Sequence, residues 1–278
     1  MSEDFLATMA ASSQARADAA REQAGDAALL ARALATPAPP RLQLSPQRFD
    51  LIAEVKLRSP AAGLLNTGTE DVAARVVEYA AAGAAAVSVL TEPSRFDGAL
   101  AHLDLASRAL KSRGGVPAMR KDFLVDPYQV CEARVAGAGG VLLIVRMLQR
   151  DALHALLEMA ARLQLFVLVE TFDEADIDIA RQIAAAPLAR DLQLLIGVNS
   201  RDLVTLKVVP GRLEQLVDRL PDSLPRVAES GVGSGDDAAR LAAAGYDLAL
   251  VGSALMTAAD PSQLLRDMLE RGRGARSS

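Results

Sequence analysis

From Phe49 onward the chain alternates short, β-rich apolar runs with longer stretches of Ala, Leu, Arg and Glu, which restricts it to a few architectures. The runs are FDLIAEV, AAAVSVLT, VPAMRKDF, GGVLLIVR, LFVLVET, LQLLIGVN, PRVAES and YDLALVGS. Runs of this length read as strands, and helix-like connections between them make neighbouring strands parallel. Eight such units within 49–278 match the size of a (β/α)8 TIM barrel, an α/β fold. An open doubly wound sheet is the competing architecture, but it more often carries a glycine fingerprint after its first strand, and none is present there. The stretch 1–48 differs in character. From about Glu3 to Ala35 it is Ala-rich with interspersed Arg, Glu, Asp and Gln, which suits helix, and TPAPPRLQLSP then breaks the pattern. The expected organisation is an N-terminal helical extension, 1–48, packed on a barrel, 49–278.

The scarce residues narrow the chemistry. With one cysteine the chain forms no internal disulfide, and with two histidines besides it assembles neither a four-cysteine zinc site nor one of two cysteines and two histidines. Whatever chemistry the chain performs is therefore expected to come mainly from Lys, Arg, Asp, Glu, Asn, Ser and backbone amides, without a zinc site of those kinds. A net charge of −5 and scattered basic residues argue against a nucleic-acid surface. No apolar run reaches the roughly 18 residues of a membrane helix, and MSEDFLATMAASSQAR lacks the order of a signal peptide. A cytoplasmic protein acting on a small molecule is expected.

In a parallel barrel the chemistry gathers at the C-terminal ends of the strands. Alternation turns Ile52, Glu54 and Lys56 to one face of the first run, so both charges point inward at the mouth. Lys121, Glu170, Asn199 and Glu229 end four further runs in the same way. Each has an ordinary reading: a strand ion pair for Glu54 and Lys56, a charged turn for Arg120-Lys121-Asp122, an acidic helix start after Glu170, a turn at Asn199 and Arg201, and a cap at Glu229-Ser230-Gly231. Those readings are independent of one another and do not explain why all five fall on one rim, where an unpaired buried charge costs several kcal/mol. AESGVGSG and VGSALM bring glycines and a serine to the last two strand ends, where backbone N–H groups favour a phosphate; Gly231, Gly252 and Ser253 are candidate ligands, with Lys56 and Arg201 supplying charge. His102, His154 and Cys131 lie in helix-like stretches and read as packing or surface residues, and Met119, Met147 and Met256 as core or pocket wall.

Taken together, IAEVKLRSP, MRKDF, GVNSRDL, VAESGV and VGSALM, in this order and spacing, resemble the indole-3-glycerol phosphate synthase family from about Phe49 to the last helix. The resemblance implies a barrel enzyme that closes the indole ring of 1-(2-carboxyphenylamino)-1-deoxyribulose 5-phosphate in tryptophan biosynthesis, releasing carbon dioxide and water without a cofactor. It implies an active-site set of Glu54, Lys56, Lys121, Glu170, Asn199, Glu229 and Ser230. Ser59, Arg201, Gly231, Gly252 and Ser253 match residues around the substrate, and Pro60, Phe96, Phe123, Leu142 and Leu203 match the walls of the anthranilate pocket. Lys121, oriented by Glu54, is expected to be the acid for ring closure. Glu170 is expected to act in dehydration with Lys56 as an alternative donor, and Asn199, Glu229 and Ser230 to position hydroxyls. The first loop reads SPAAG where the family commonly has SPSKG, so Arg58 is the candidate replacement for a loop charge. Two alternatives stand beside this one: phosphoribosylanthranilate isomerase, whose Cys/Asp-type chemistry the helical Cys131 disfavours, and a non-catalytic phosphometabolite binder. Association with other tryptophan-pathway enzymes is also open.

Overall fold

The computed structural model describes residues 5–46, 49–59, 63–64, 71–111 and 115–276. Two helices, α1 (Phe5–Gln23) and α2 (Asp26–Ala35), precede a closed barrel of parallel strands. The strands are β1 (Asp50–Val55), β2 (Ala86–Leu90), β3 (Ala118–Lys121), β4 (Gly140–Ile144), β5 (Phe166–Thr171), β6 (Leu194–Asn199), β7 (Arg226–Glu229) and β8 (Leu248–Val251). Each pairs with the next, and β8 pairs with β1 to close the ring, so the eight apolar runs are the eight strands. Between and after them come α3 (Val72–Ala81), α4 (Leu100–Lys111), α5 (Pro127–Val135), α6 (Arg150–Arg162), α7 (Glu174–Ala185), α8 (Arg212–Leu216), α9 (Gly235–Ala244) and α10 (Pro261–Arg276). A short antiparallel hairpin pairs Arg58–Ser59 with Gly63–Leu64 beyond β1. The fold is the (β/α)8 barrel with an N-terminal helical segment.

Strand alternation sorts the apolar residues into two sets. Ile52, Met119, Leu142, Leu168, Leu195, Val227 and Leu248 fill the barrel interior, while Leu51, Val87, Val141, Val167, Ile196 and Ala249 pack outward against the helices. Local signals start and stop those helices. Asp126 caps α5 in a reciprocal box with Gln129, with Pro127 at the first helical position, and Gly245, at φ +114°, ends α9 in the left-handed conformation that glycine adopts without strain.

Within its described residues, the Ala-rich stretch expected to be helical from about Glu3 to Ala35 forms two helices. The chain turns at Gly25, an extended residue whose carbonyl accepts from Ala28 and Leu29 as α2 begins. Both helices and the segment after them are tied to the barrel. Arg16 grips Asp122 through two bonds of 3.0 and 2.8 Å, Arg21 reaches Asp126 at 2.7 Å, and Gln129 donates to Ser13 Oγ at 2.7 Å. Tyr128 Oη donates to the Ala20 and Ala24 carbonyls, and Arg134 to those of Thr36 and Pro37.

His102 and His154 lie on α4 and α6, and Cys131 is buried in α5, all away from the strand ends. Burial pushes the Cys131 thiol up to about 11. Because the thiolate is the reactive form, the native chain is expected to resist iodoacetamide at pH 7.5 and to label fully once unfolded, as read by intact mass.

Candidate active site

Strand register carries the polar side chains to one end of the barrel. Lys121 stands opposite Leu90, Glu170 opposite Ile144 and Gly197, and Asn199 opposite Glu229, each at or near the C-terminal end of its strand. Two ion pairs form there. Lys56 Nζ lies 2.7 Å from Glu54 Oε1, and Lys121 Nζ donates to Glu170 Oε2 at 3.1 Å. Asn199 Nδ2 donates to the other oxygen of Glu170 at 3.2 Å, which leaves that carboxylate held by two donors. Glu229 Oε2 is 3.9 Å from Lys121 Nζ. Burial alone lowers the Lys121 pKa, but the surrounding Glu170, Glu229 and Glu54 outweigh it and hold the ammonium above its usual range. Lys121 is therefore charged at neutral pH.

These groups form the floor of a cavity of about 430 Å³. Phe96, Phe123, Leu142 and Leu203 line its apolar wall, and Ser59, Arg201, Ser230, Gly231, Gly252 and Ser253 also face it. Pro60, the remaining expected wall residue, lies outside the described residues. Ser230 and Gly231 both take positive φ, at 67° and 75°, and Ser200 Oγ donates to the carbonyls of Glu229 and Ser230, so the turn after β7 is pinned. The segment after β6 folds into a small hairpin: Arg201 bridges Val208, its guanidinium donates to the Leu206 carbonyl at 2.7 Å, and Asp202 accepts from the amides of Val204 and Thr205. That hairpin presents Leu203, Leu206 and Val208 to the cavity.

The geometry bears on three expectations. Glu54 is bonded to Lys56, and the group that orients Lys121 is Glu170, because β5 places its carboxylate within bonding distance of the ammonium. Arg58 is half exposed, 3.6 Å from Asp97, and is not among the residues that line the cavity. Gly252, read from sequence as a phosphate ligand, also has a steric role: a Cβ there would collide with Glu54 Oε1 and come within 3.0 Å of Lys56 Nζ. Gly252→Ala is accordingly expected to split that ion pair and lower kcat by about 10²-fold, the size of effect a misplacement of about 1 Å produces, with steady-state kinetics as the check.

Other participants escaped the sequence. Phe5, from α1, enters the wall edge-on to Phe123 with ring centroids 5.8 Å apart, although it sits more than a hundred residues from its partner. A lone large aromatic in an Ala-rich helix was its one signal. Asp122 is buried beneath the site with Arg16, Arg120 and Thr91 as partners, and only the fold reveals those bonds. Gly197 leaves space inside the barrel that the Glu229 carboxylate occupies, since a Cβ there would collide with Glu229 Oε1.

A sequence profile described as indole-3-glycerol phosphate synthase matches residues 6–268. The chain belongs to the indole-3-glycerol phosphate synthase family. It is 44% identical to the indole-3-glycerol phosphate synthase of Nocardioides sp. over 253 residues, 90% of this chain and 92% of that one. The synthase of Rhodococcus jostii is 40% identical over 262 residues, 92% of each chain. Among solved structures, 3-hexulose-6-phosphate synthase from Salmonella typhimurium aligns with a TM-score of 0.62 at 13% identity, covering 81% of this chain and 99% of that one, and shares the fold alone. The activity is that of the family: a carboxy-lyase that makes indole-3-glycerol phosphate in tryptophan biosynthesis from a phosphorylated small molecule. No described helix is long and apolar enough to cross a membrane.

Proposed function

We propose that the reaction runs on the groups at this rim, with Lys121 as the acid for ring closure and Glu170 as the base for dehydration. The observation that carries this is the Lys121 ammonium, held charged by the carboxylates around it, 3.1 Å from Glu170 on the floor of a largely apolar cavity. Closure requires the aromatic carbon bearing the carboxylate to attack the ribulose carbonyl, and a proton on that carbonyl oxygen lowers the barrier. Lys121 is the buried cation placed to give it. Loss of carbon dioxide then restores the aromatic ring. Dehydration needs a base for the ring C–H, and the Glu170 carboxylate, beside Lys121 and Asn199, is placed to take that proton.

The remaining residues bind and orient. Phe5, Phe96, Phe123, Leu142 and Leu203 take the anthranilate ring, the wall built for it without any Trp. Ser59, Arg201, Gly231, Gly252 and Ser253 face the phosphorylated end, with Lys56, paired to Glu54, supplying positive charge near the anionic groups. Asn199 and Ser230 orient hydroxyls. In this proposal 1–48 is an extension and 49–278 the catalytic barrel, the chain acts in the cytoplasm, and association with neighbouring pathway enzymes is tested by pull-down. Purified protein incubated with 1-(2-carboxyphenylamino)-1-deoxyribulose 5-phosphate is expected to develop indole fluorescence. Silence at high enzyme concentration refutes the proposal.

A further inference from the structure

Two non-glycine residues that line the cavity are held in the left-handed backbone region, Leu206 at φ 60° and Ser230 at φ 67°. A residue with a side chain takes that region at a cost, so the conformation persists where neighbouring groups hold it. One dipeptide at the end of β6 holds both. Arg201 Nη1 donates to the Leu206 carbonyl at 2.7 Å, and Ser200 Oγ donates to the Ser230 carbonyl at 3.0 Å and to the Glu229 carbonyl at 3.2 Å. Ser200 is 2% exposed and is not among the residues that line the cavity. Its backbone is fixed independently, because its amide donates to the Glu229 carbonyl at 2.9 Å and its own carbonyl accepts from Val209 at 2.8 Å. The amide already secures the end of β7, so the bond that the hydroxyl alone adds is the one to the Ser230 carbonyl.

The direction of that carbonyl bears on phosphate binding. In a trans peptide the C=O and the N–H that follows it point opposite ways, so holding the Ser230 carbonyl against Ser200 turns the Gly231 N–H away from Ser200. Gly231, itself at φ 75°, lines the cavity and packs close to the hairpin after β6: a Cβ there would lie 3.0 Å from Val208 Cγ1 and 3.4 Å from Ser200 Oγ. We propose that Ser200 is a positioning residue for the substrate phosphate: its hydroxyl fixes the Ser230–Gly231 peptide so that the Gly231 amide is set for a phosphate oxygen, next to the guanidinium of Arg201. This rests on the assignment of Arg201, Gly231, Gly252 and Ser253 to the phosphorylated end. Ser200 makes no contact with the substrate and acts through Gly231. An amide oriented before the anion arrives binds it more tightly, since no ordering is left to be done on binding. With alanine at 200 the Ser230 carbonyl is released, Ser230 relaxes toward negative φ, and the Gly231 amide turns from the phosphate.

The test titrates protein carrying nitrogen-15 glycine with inorganic phosphate and, in a second series, with anthranilate, following the amide resonances. In the wild type the Gly231 resonance is expected to move downfield as phosphate binds; a Gly231 resonance that phosphate leaves unmoved overturns the proposal without any variant. Ser200→Ala is expected to weaken phosphate by about tenfold, the worth of one hydrogen bond to a charged group, and anthranilate by less than about twofold. In steady-state kinetics the same variant is expected to raise KM by about tenfold with kcat within about threefold of wild type, the pattern of a lost binding contact. Glycine takes a φ near 67° without strain, so Ser200→Ala combined with Ser230→Gly is expected to recover phosphate affinity to within about threefold of wild type. Phosphate and anthranilate weakened alike, neither weakened, a loss in kcat at unchanged KM, or a double variant that binds phosphate no better than Ser200→Ala each overturn the proposal. Arg201→Ala separates the two levels. If that variant keeps the wild-type affinity for phosphate, the assignment of the phosphorylated end fails and this inference with it; if it weakens phosphate while Ser200→Ala does not, this inference alone fails.

Discussion

Replacing Lys121 with alanine is expected to remove turnover by about 10³-fold or more while a reduced, unreactive substrate analogue still binds. A positioned general acid contributes roughly 10²–10⁴-fold, and Lys121 lies at the upper end because its ammonium is the charge that also holds Glu170 in place. Alanine leaves Glu170 with Asn199 as its remaining donor and Glu229 with no cation nearby, so the carboxylates repel one another and the base is misplaced along with the acid. Arginine does not rescue the loss. A guanidinium keeps the charge but gives up no proton near neutral pH, so Lys121→Arg is expected to bind the analogue and remain inactive. Steady-state kinetics by indole fluorescence and analogue titration by calorimetry separate the two effects, and turnover within tenfold of wild type in the alanine variant refutes the assignment.

Replacing Asp122 with asparagine has the largest expected effect on stability. Its carboxylate is buried and accepts from both Arg16 guanidinium nitrogens, from Arg120 at 3.1 Å, from Thr91 at 2.7 Å and from the Phe123 amide at 2.9 Å. Breaking a buried pair by removing one charge leaves the other uncompensated, at a cost of about 3 kcal/mol here. For a chain of this size that lowers Tm by roughly 6–12 °C, measurable by calorimetry. Burial by itself raises the Asp122 pKa, but Arg16, Arg120 and Thr91 outweigh it and hold the carboxyl well below the usual range. The folded-state pKa is depressed, so the stabilisation is fully present above the unfolded value and is lost as the pH falls. The gap in stability between wild type and Asp122→Asn is accordingly full at neutral pH and shrinks below about pH 4. Activity falls as well, because Asp122 stands between Lys121 and Phe123, and Arg16 ties that turn to the helix that carries Phe5.

The barrel was legible because its cause is local. Side chains alternate across a strand, so the inward Glu54, Lys121, Glu170, Asn199 and Glu229 show in the bare sequence, at the ends of apolar runs. The partnership between Lys121 and Glu170 did not show. It depends on how far each side chain reaches across the mouth, which the sequence does not carry, and Glu54 was the expected partner of Lys121. Gly252 was recognised as a rim residue, but its steric duty toward Glu54 was not, since a missing side chain carries no sign of what fills its space.

The apolar periodicity of the chain by itself determined parallel strands joined by helices, and its scarcity of His and Cys ruled out most other catalytic kits. Distance and burial decided the rest. Folding brought Phe5 and Arg16 from the N-terminal helix to β3, paired two of three glutamates closely with lysines, and left Glu229 buried with Lys121 at 3.9 Å. Charge balance within a few ångströms depends on which residues meet across the barrel, and these come from strands and helices far apart in the chain.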